Sequence, residues 1–180
     1  MSDLSALTPG TWNVDPMHST VGFTVRHLMI TKVHGTFKEF AGTITVGSDP
    51  LQSTVEATVQ VASVDTGEAS RDGHLRTGDF FEVETYPTMT LRSTGISGTG
   101  GDYVLNADLT IKGITKPVSF ELEFEGVNKD LYGNTKAGFS ASTEINRKDW
   151  GIEWNAVLDN GGVALGEKVK LKLDIQAVKA

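Results

Sequence analysis

The sequence predicts an all-β fold, an antiparallel barrel of about eight strands with one or two short helices, and three observations lead there. Apolar and polar residues alternate strictly through most of the chain. Turns rich in Gly, Asn, Asp and Pro separate the alternating runs by short links, which antiparallel neighbours require. Only two connections are long, residues 65–87 and 146–168, and long loops in a compact domain are more often functional lids than slack.

Residues 1–10 read as a flexible N-terminus of a single domain spanning 1–180. From Ser19 onward, Val21, Phe23 and Val25 face one side while Thr20, Thr24 and Arg26 face the other, because successive side chains on a strand point opposite ways. Phe40, Ile44 and Val46 follow the same rule, and "GSDP" at 47–50 turns the chain. Val55, Ala57, Val59 and Val61 oppose Thr54, Glu56, Thr58 and Gln60. Met89 and Leu91 begin the next run, and "SGTGGD" at 97–102 leads into Tyr103, Leu105, Leu109 and Ile111. After "KGITKP", Val118, Phe120, Leu122 and Phe124 oppose Ser119, Glu121, Glu123 and Glu125. Following "NKDLYGN", Phe139, Ala141 and Ile145 form one apolar face, and Val169, Leu171, Leu173 and Ile175 form the last.

Strands with one apolar face each must sandwich two sheets or close into a barrel. The inward series favours closure, since it mixes bulky Phe23, Phe120, Phe124 and Phe139 with small Ala57, Ser93, Ala107, Ala137 and Ala141. Those small residues either leave a lumen open or fit a barrel's taper.

The first long connection, "DTGEASRDGHLRTGDFF", concentrates charge. Glu68 to Arg76 suits a short helix, capped by Asp65 or Thr66 and ended by Gly78, with Asp72 and Arg76 paired one turn apart and Leu75, Phe80 and Phe81 turned inward. This reads as a plug helix with a solvated charged face; contact with a ligand head group is the alternative, and catalysis by His74 a weaker one. The second connection sets Arg147, Lys148 and Asp149 beside Trp150 and Trp154, a mix suited either to a cavity mouth or to plugging one barrel end.

Several function classes fall away. With 16 Lys and Arg against 23 Asp and Glu, the net charge of −7 repels phosphate backbones and anionic leaflets, so nucleic acid is not an expected partner. Without cysteine there is no disulfide, thiolate metal site or thiol nucleophile. His18, His27, His34 and His74 lack paired ligand spacing, so neither a metal nor another cofactor is expected. No Gly-x-Ser-x-Gly elbow or phosphate-cradling Gly-Lys-Ser/Thr ending is present. "MSDLSALTPG" lacks a signal pattern and no run is apolar enough for an integral membrane segment, so a soluble, cytoplasmic protein is expected. The sequence leaves the oligomeric state open, a homodimer included.

Together, "WNVDPMHSTVGFTVRHL", "VHGTFKEFAGTI", "VDTGEASRDGHLRTGDFFEVETYPTM", "LTIKGITKPV" and "INRKDWGI" resemble the YceI-like family of polyisoprenoid-binding proteins, from Trp12 to about Ala177. The resemblance implies a lipocalin-like barrel whose apolar tunnel holds a long isoprenoid, such as a prenyl phosphate or an isoprenoid quinone, without catalysis. The wall expected from it and from strand parity comprises Val21, Phe23, Val25, Ile44, Val59, Leu91, Leu105, Leu109, Phe120, Leu122, Phe124, Phe139 and Leu173. Arg26, His27, Asp72, His74, Arg147 and Trp150 are the mouth and head-group candidates, although parity turns Arg26 outward. The rival readings are an enzyme acting on a lipophilic substrate through Asp72 and His74, and a filled barrel serving as an interaction module.

Overall fold

Each alternating run becomes a strand with its apolar face inward, and the strands close on themselves. The computed structural model describes residues 3–180. Eight strands form the circuit: β1 (Gly10–Val14), β4 (Phe40–Val46), β5 (Thr54–Gln60), β7 (Thr88–Thr99), β8 (Asp102–Ile111), β9 (Ile114–Lys129), β10 (Thr135–Asn146) and β11 (Leu165–Lys179), which returns to β1. Every pairing is antiparallel, as short hairpin links demand. The strictest alternation lies on β8 and β9, where Tyr103, Leu105, Ala107, Leu109, Val118, Phe120, Leu122 and Phe124 are buried and their neighbours are largely exposed.

The long β11 serves two partners in succession. Its end, Ala177–Lys179, pairs with β1, whereas Leu165–Asp174 pairs with β2 (Thr20–His27). From β2 the sheet continues to β3 (Thr31–Phe37) and the two-residue β6 (Val64–Asp65). A 3-10 turn at Pro16–His18, capped by Asp15, separates β1 from β2, so one barrel position is filled by a bent pair of strands. Register shifts at Ser93/Gly95, Gly138/Phe139 and Leu165/Val169 add the local twist that closure needs.

At the β6 edge the wall is completed by α1 (Ala69–Leu75) and the segment behind it. Arg76 donates from Nε to the Ala62 carbonyl at 2.9 Å, and the Phe81 ring meets Phe37 edge-on at 5.8 Å. The helix is capped differently from expectation. Glu68 itself accepts from the Ser70 and Arg71 amides, because its longer side chain folds back over the first turn. Asp72 and Arg76 form no pair: Asp72 accepts from the Thr66 amide and hydroxyl, at 2.9 and 2.5 Å, while Arg76 reaches the Ala62 and Val64 carbonyls.

The opposite end is closed by part of the N-terminal segment; Met1 and Ser2 lie outside the described residues. Leu4 and Leu7 are buried on a 3-10 turn at Leu4–Ala6, and the Leu4 amide donates to the Tyr103 hydroxyl at 3.1 Å. Trp12 is wholly buried on β1 and donates from Nε1 to the Thr8 carbonyl at 3.0 Å. Alternation alone also missed β1, β3 and β6, which are short or carry few apolar residues. Among the described residues no helix is long and apolar enough to cross a membrane.

A candidate ligand cavity through the barrel

The inward side chains do not meet at the barrel axis. They enclose a cavity of about 260 Å³ that reaches from Leu4, Leu7, Pro50 and Ser53 at the N-terminal plug to Phe80, Phe81, Arg147, Trp150 and Ile152 at the other end. On β8 alone, Leu105, Leu109 and Ile111 border it, about 20 Å along one strand. Among the described residues, Ser53 and Arg147 are the buried polar residues that border it; Thr90 borders it from a strand position whose side chain is exposed, and the Trp150 Nε1 donates to the Leu109 carbonyl at 3.0 Å.

All the expected wall residues border this cavity except Phe124. Phe124 is fully buried and tilted against Phe139 at 5.4 Å, so it fills the wall behind the lumen. The small residues divide in the same way. Ala57 and Ala141 border the space with Gly22 and Gly42, whereas Ala107 and Ala137 are packed into the wall. Gly35 has a specific reason to be glycine, because the Phe23 ring on the facing strand occupies the place a Cβ would take.

The mouth candidates separate sharply. Arg147 and Trp150 border the cavity and are buried, 4% and 2% exposed. The Arg147 guanidinium donates from Nε to the Gly166 carbonyl and from Nη1 to the Ile152 carbonyl, both at 2.8 Å. Burial lowers its pKa from the ordinary value and the charge of Glu167 opposes that shift, while an arginine stays protonated in proteins. The guanidinium is therefore held at one end of an apolar chamber by three carbonyls, with Nη2 3.5 Å from that of Leu165.

The other four candidates lie off the lining. Arg26 points outward as its parity requires, and His27, expected inward, is exposed at the strand end beside the β-turn. Asp72 is buried, but its carboxylate is taken by Thr66. His74 Nε2 lies 2.8 Å from Asp79 Oδ2, and its ring stands edge-on to Phe80 and Trp154 at 5.0 and 4.9 Å. Asp72 and His74 thus hold the lid together instead of facing the lumen.

Sequence reasoning missed Leu4, Leu7 and Ser53. The "LSAL" spacing of the two leucines, one helical turn apart, was a usable signal that the segment packs. Nothing local marked Ser53, whose buried Oγ lacks a hydrogen-bond partner at the cavity border.

Comparison with known proteins agrees with this architecture. The chain matches the YceI-like domain family over residues 12–177. It is 39% identical to a UPF0312 protein of Photorhabdus laumondii over 142 residues, covering 78% of this chain and 74% of that one. Protein YceI of Escherichia coli is 40% identical over 137 residues, 76% of this chain and 72% of its own. Among solved structures, Burkholderia cenocepacia BcnA superposes with a TM-score of 0.77 at 24% identity, over 91% of this chain and 98% of its own. A polyisoprenoid binding domain from Saccharophagus degradans superposes with a TM-score of 0.73 at 16% identity, over 94% and 98%. These last two likenesses speak to the fold. Closed barrel, long apolar lumen and matching sequence from Trp12 to Ala177 coincide, and the chain belongs to the YceI-like family.

Proposed function

We propose that this protein binds and carries, without turning it over, a lipid with a long apolar chain, of which a polyisoprenoid such as a prenyl phosphate or isoprenoid quinone is the leading case. The observation that carries the reading is the lumen, whose border is apolar along the barrel, with Arg147 bordering one end. A buried CH₂ is worth about 0.8 kcal/mol, so each five-carbon unit gives about 3 to 4 kcal/mol when desolvated. A few such units offset the cost of immobilising a chain. The wall residues that border the cavity are the proposed chain contacts, and the N–H groups of Arg147 left over from its bonds to Gly166, Ile152 and Leu165 are the proposed head-group contact, with Trp150 beside them. The description of the Saccharophagus degradans domain as polyisoprenoid binding supports the choice of ligand class. Catalysis through Asp72 and His74 has less support, because both side chains are spent inside the lid.

Native mass spectrometry of the purified protein, before and after incubation with a prenyl phosphate, tests the proposal. A lipid-sized adduct retained in the gas phase is expected. A bare protein mass under both conditions overturns carriage and leaves the filled barrel.

A further inference from the structure

We propose that the β2–β3 turn is a docking tip for anionic membrane surfaces. The reading deepens lipid carriage, since it says where cargo is exchanged, but vesicle binding needs no cargo and is tested separately.

The tip is Leu28-Met29-Ile30, three consecutive large apolar residues that are 38%, 52% and 77% exposed. Leu28 and Met29 both have positive φ, 53° and 61°, in a turn whose backbone favours Asn-Gly. The chain thus keeps bulky apolar side chains where small polar ones fit the backbone better, and about half of Met29 and most of Ile30 stay in water. Next to them stands Val157, 80% exposed. It pairs with Val163, and the Leu28 amide donates to the adjacent Ala164 carbonyl at 2.8 Å, so both turns project from one end of the barrel. That end is also where Arg147 is anchored, on the carbonyl of Gly166.

Charge identifies the partner. Arg26 and Lys32 are directly opposite each other on β2 and β3, two residues from the turn or about 7 Å below the tip. Like charges paired across a ladder repel, unless an anion lies between or over them. Lys170 and Lys172 extend the same outer face on β11, beside Thr24 and Gly22. None of these four cations is in an ion pair among the described residues, whereas Lys148 and Lys168 are held by Glu167 and Glu144. Glu144 on β10 lies directly opposite Lys170, whereas Arg26 and Lys32 have no carboxylate across their own ladder; Asp159 lies on the turn that carries Val157, and Asp174 lies toward the far end of β11. Although the whole chain carries −7, charges more than about 8 Å apart are screened at physiological salt. A bilayer therefore feels the local cations, not the total. An apolar face entering about 5–10 Å into the headgroup region places Arg26 and Lys32 level with lipid phosphates.

Co-sedimentation of the full-length protein with vesicles of phosphatidylcholine alone, or mixed with phosphatidylglycerol, tests this. Binding to the mixed vesicles is expected, with loss near 1 M salt, where the screening length is about 3 Å. Replacing Arg26→Gln or Lys32→Gln should each weaken it about fivefold. The double variant Leu28→Asn/Met29→Gly is the decisive control: it suits the turn and should keep or raise thermal stability, yet lose vesicle binding. Wild-type protein that ignores anionic vesicles, or a double variant that binds as well as wild type, overturns the proposal. So does a wild-type dimer in light scattering that the double variant dissolves while neither form binds vesicles, since the tip then seats a second copy. Lipid retained in native spectra by the double variant would show that carriage stands by itself, and its absence from wild type would fail carriage and leave docking to the vesicle result.

Discussion

Arg147 shows how much a single residue's role depends on its surroundings. By position it belonged to a charged loop, and a loop arginine is normally solvated. Folding instead lays its guanidinium against the carbonyls of Gly166 and Ile152, at the apolar chamber's end. No local pattern encodes that, because Gly166 lies 19 residues on and the chain must fold back to bring its carbonyl beside that of Ile152. Asp130 is the opposite case, since its partners follow within a few residues in "DLYGNTK". Asn134 donates to it from its side chain and its amide, Tyr132 from its amide and Lys136 from its ammonium, and the carboxyl is held down to about 2. A depressed folded-state pKa means stabilisation that is complete above the ordinary carboxylate value and is lost as pH falls through about 2. NMR titration of the Asp130 carboxyl should therefore show a midpoint near 2, and Asn134→Ala should move it up toward the ordinary value. A midpoint near 4 in the wild type would remove this turn from the acid-stability account.

Among the elements, the lid departs most from the sequence reading. Its inward apolar residues were legible, because Leu75, Phe80 and Phe81 border the cavity as expected. Its charges were not. Periodicity offers Asp72 a partner one turn on, but burial gives it a closer one in Thr66, whose amide and hydroxyl would otherwise lie unsatisfied. Asp72→Ala should cost about 1 kcal/mol in denaturant unfolding, the usual consequence of losing hydrogen bonds to part-buried donors. Lipid retention should be nearly unchanged. Loss of lipid at undiminished stability would instead put the carboxylate in contact with the ligand. The β2–β3 hairpin was not legible at all, since β3 carries too few apolar residues for alternation to mark it and alternation is silent about turn backbones.

For the whole molecule the deciding quantity is empty space at the axis. The cavity of about 260 Å³ survives because Ala57, Ala141 and Gly42 stand where larger residues would close it, and because the two ends are plugged by different segments. Leu122 borders this space from β9, so Leu122→Trp should fill part of it. The expected outcome is a folded protein, less stable by about 1 to 3 kcal/mol, that no longer holds lipid in native mass spectra. Unchanged lipid retention would move the chain's path away from β9.

What the sequence determined by itself is the barrel and the parity of its strands: alternation with period two dictates which side chains share a face, whatever the neighbouring strand. Its family segments set the same architecture. Tertiary structure decided the rest. It packed the N-terminal leucines into one end, set Phe124 in the wall and not the lumen, and drew Arg147 inward while leaving Arg26 and His27 outside. The physical reason is range. Side-chain direction is a property of a residue and its two neighbours, whereas a cavity and its polar contacts are differences in packing among strands far apart in the chain.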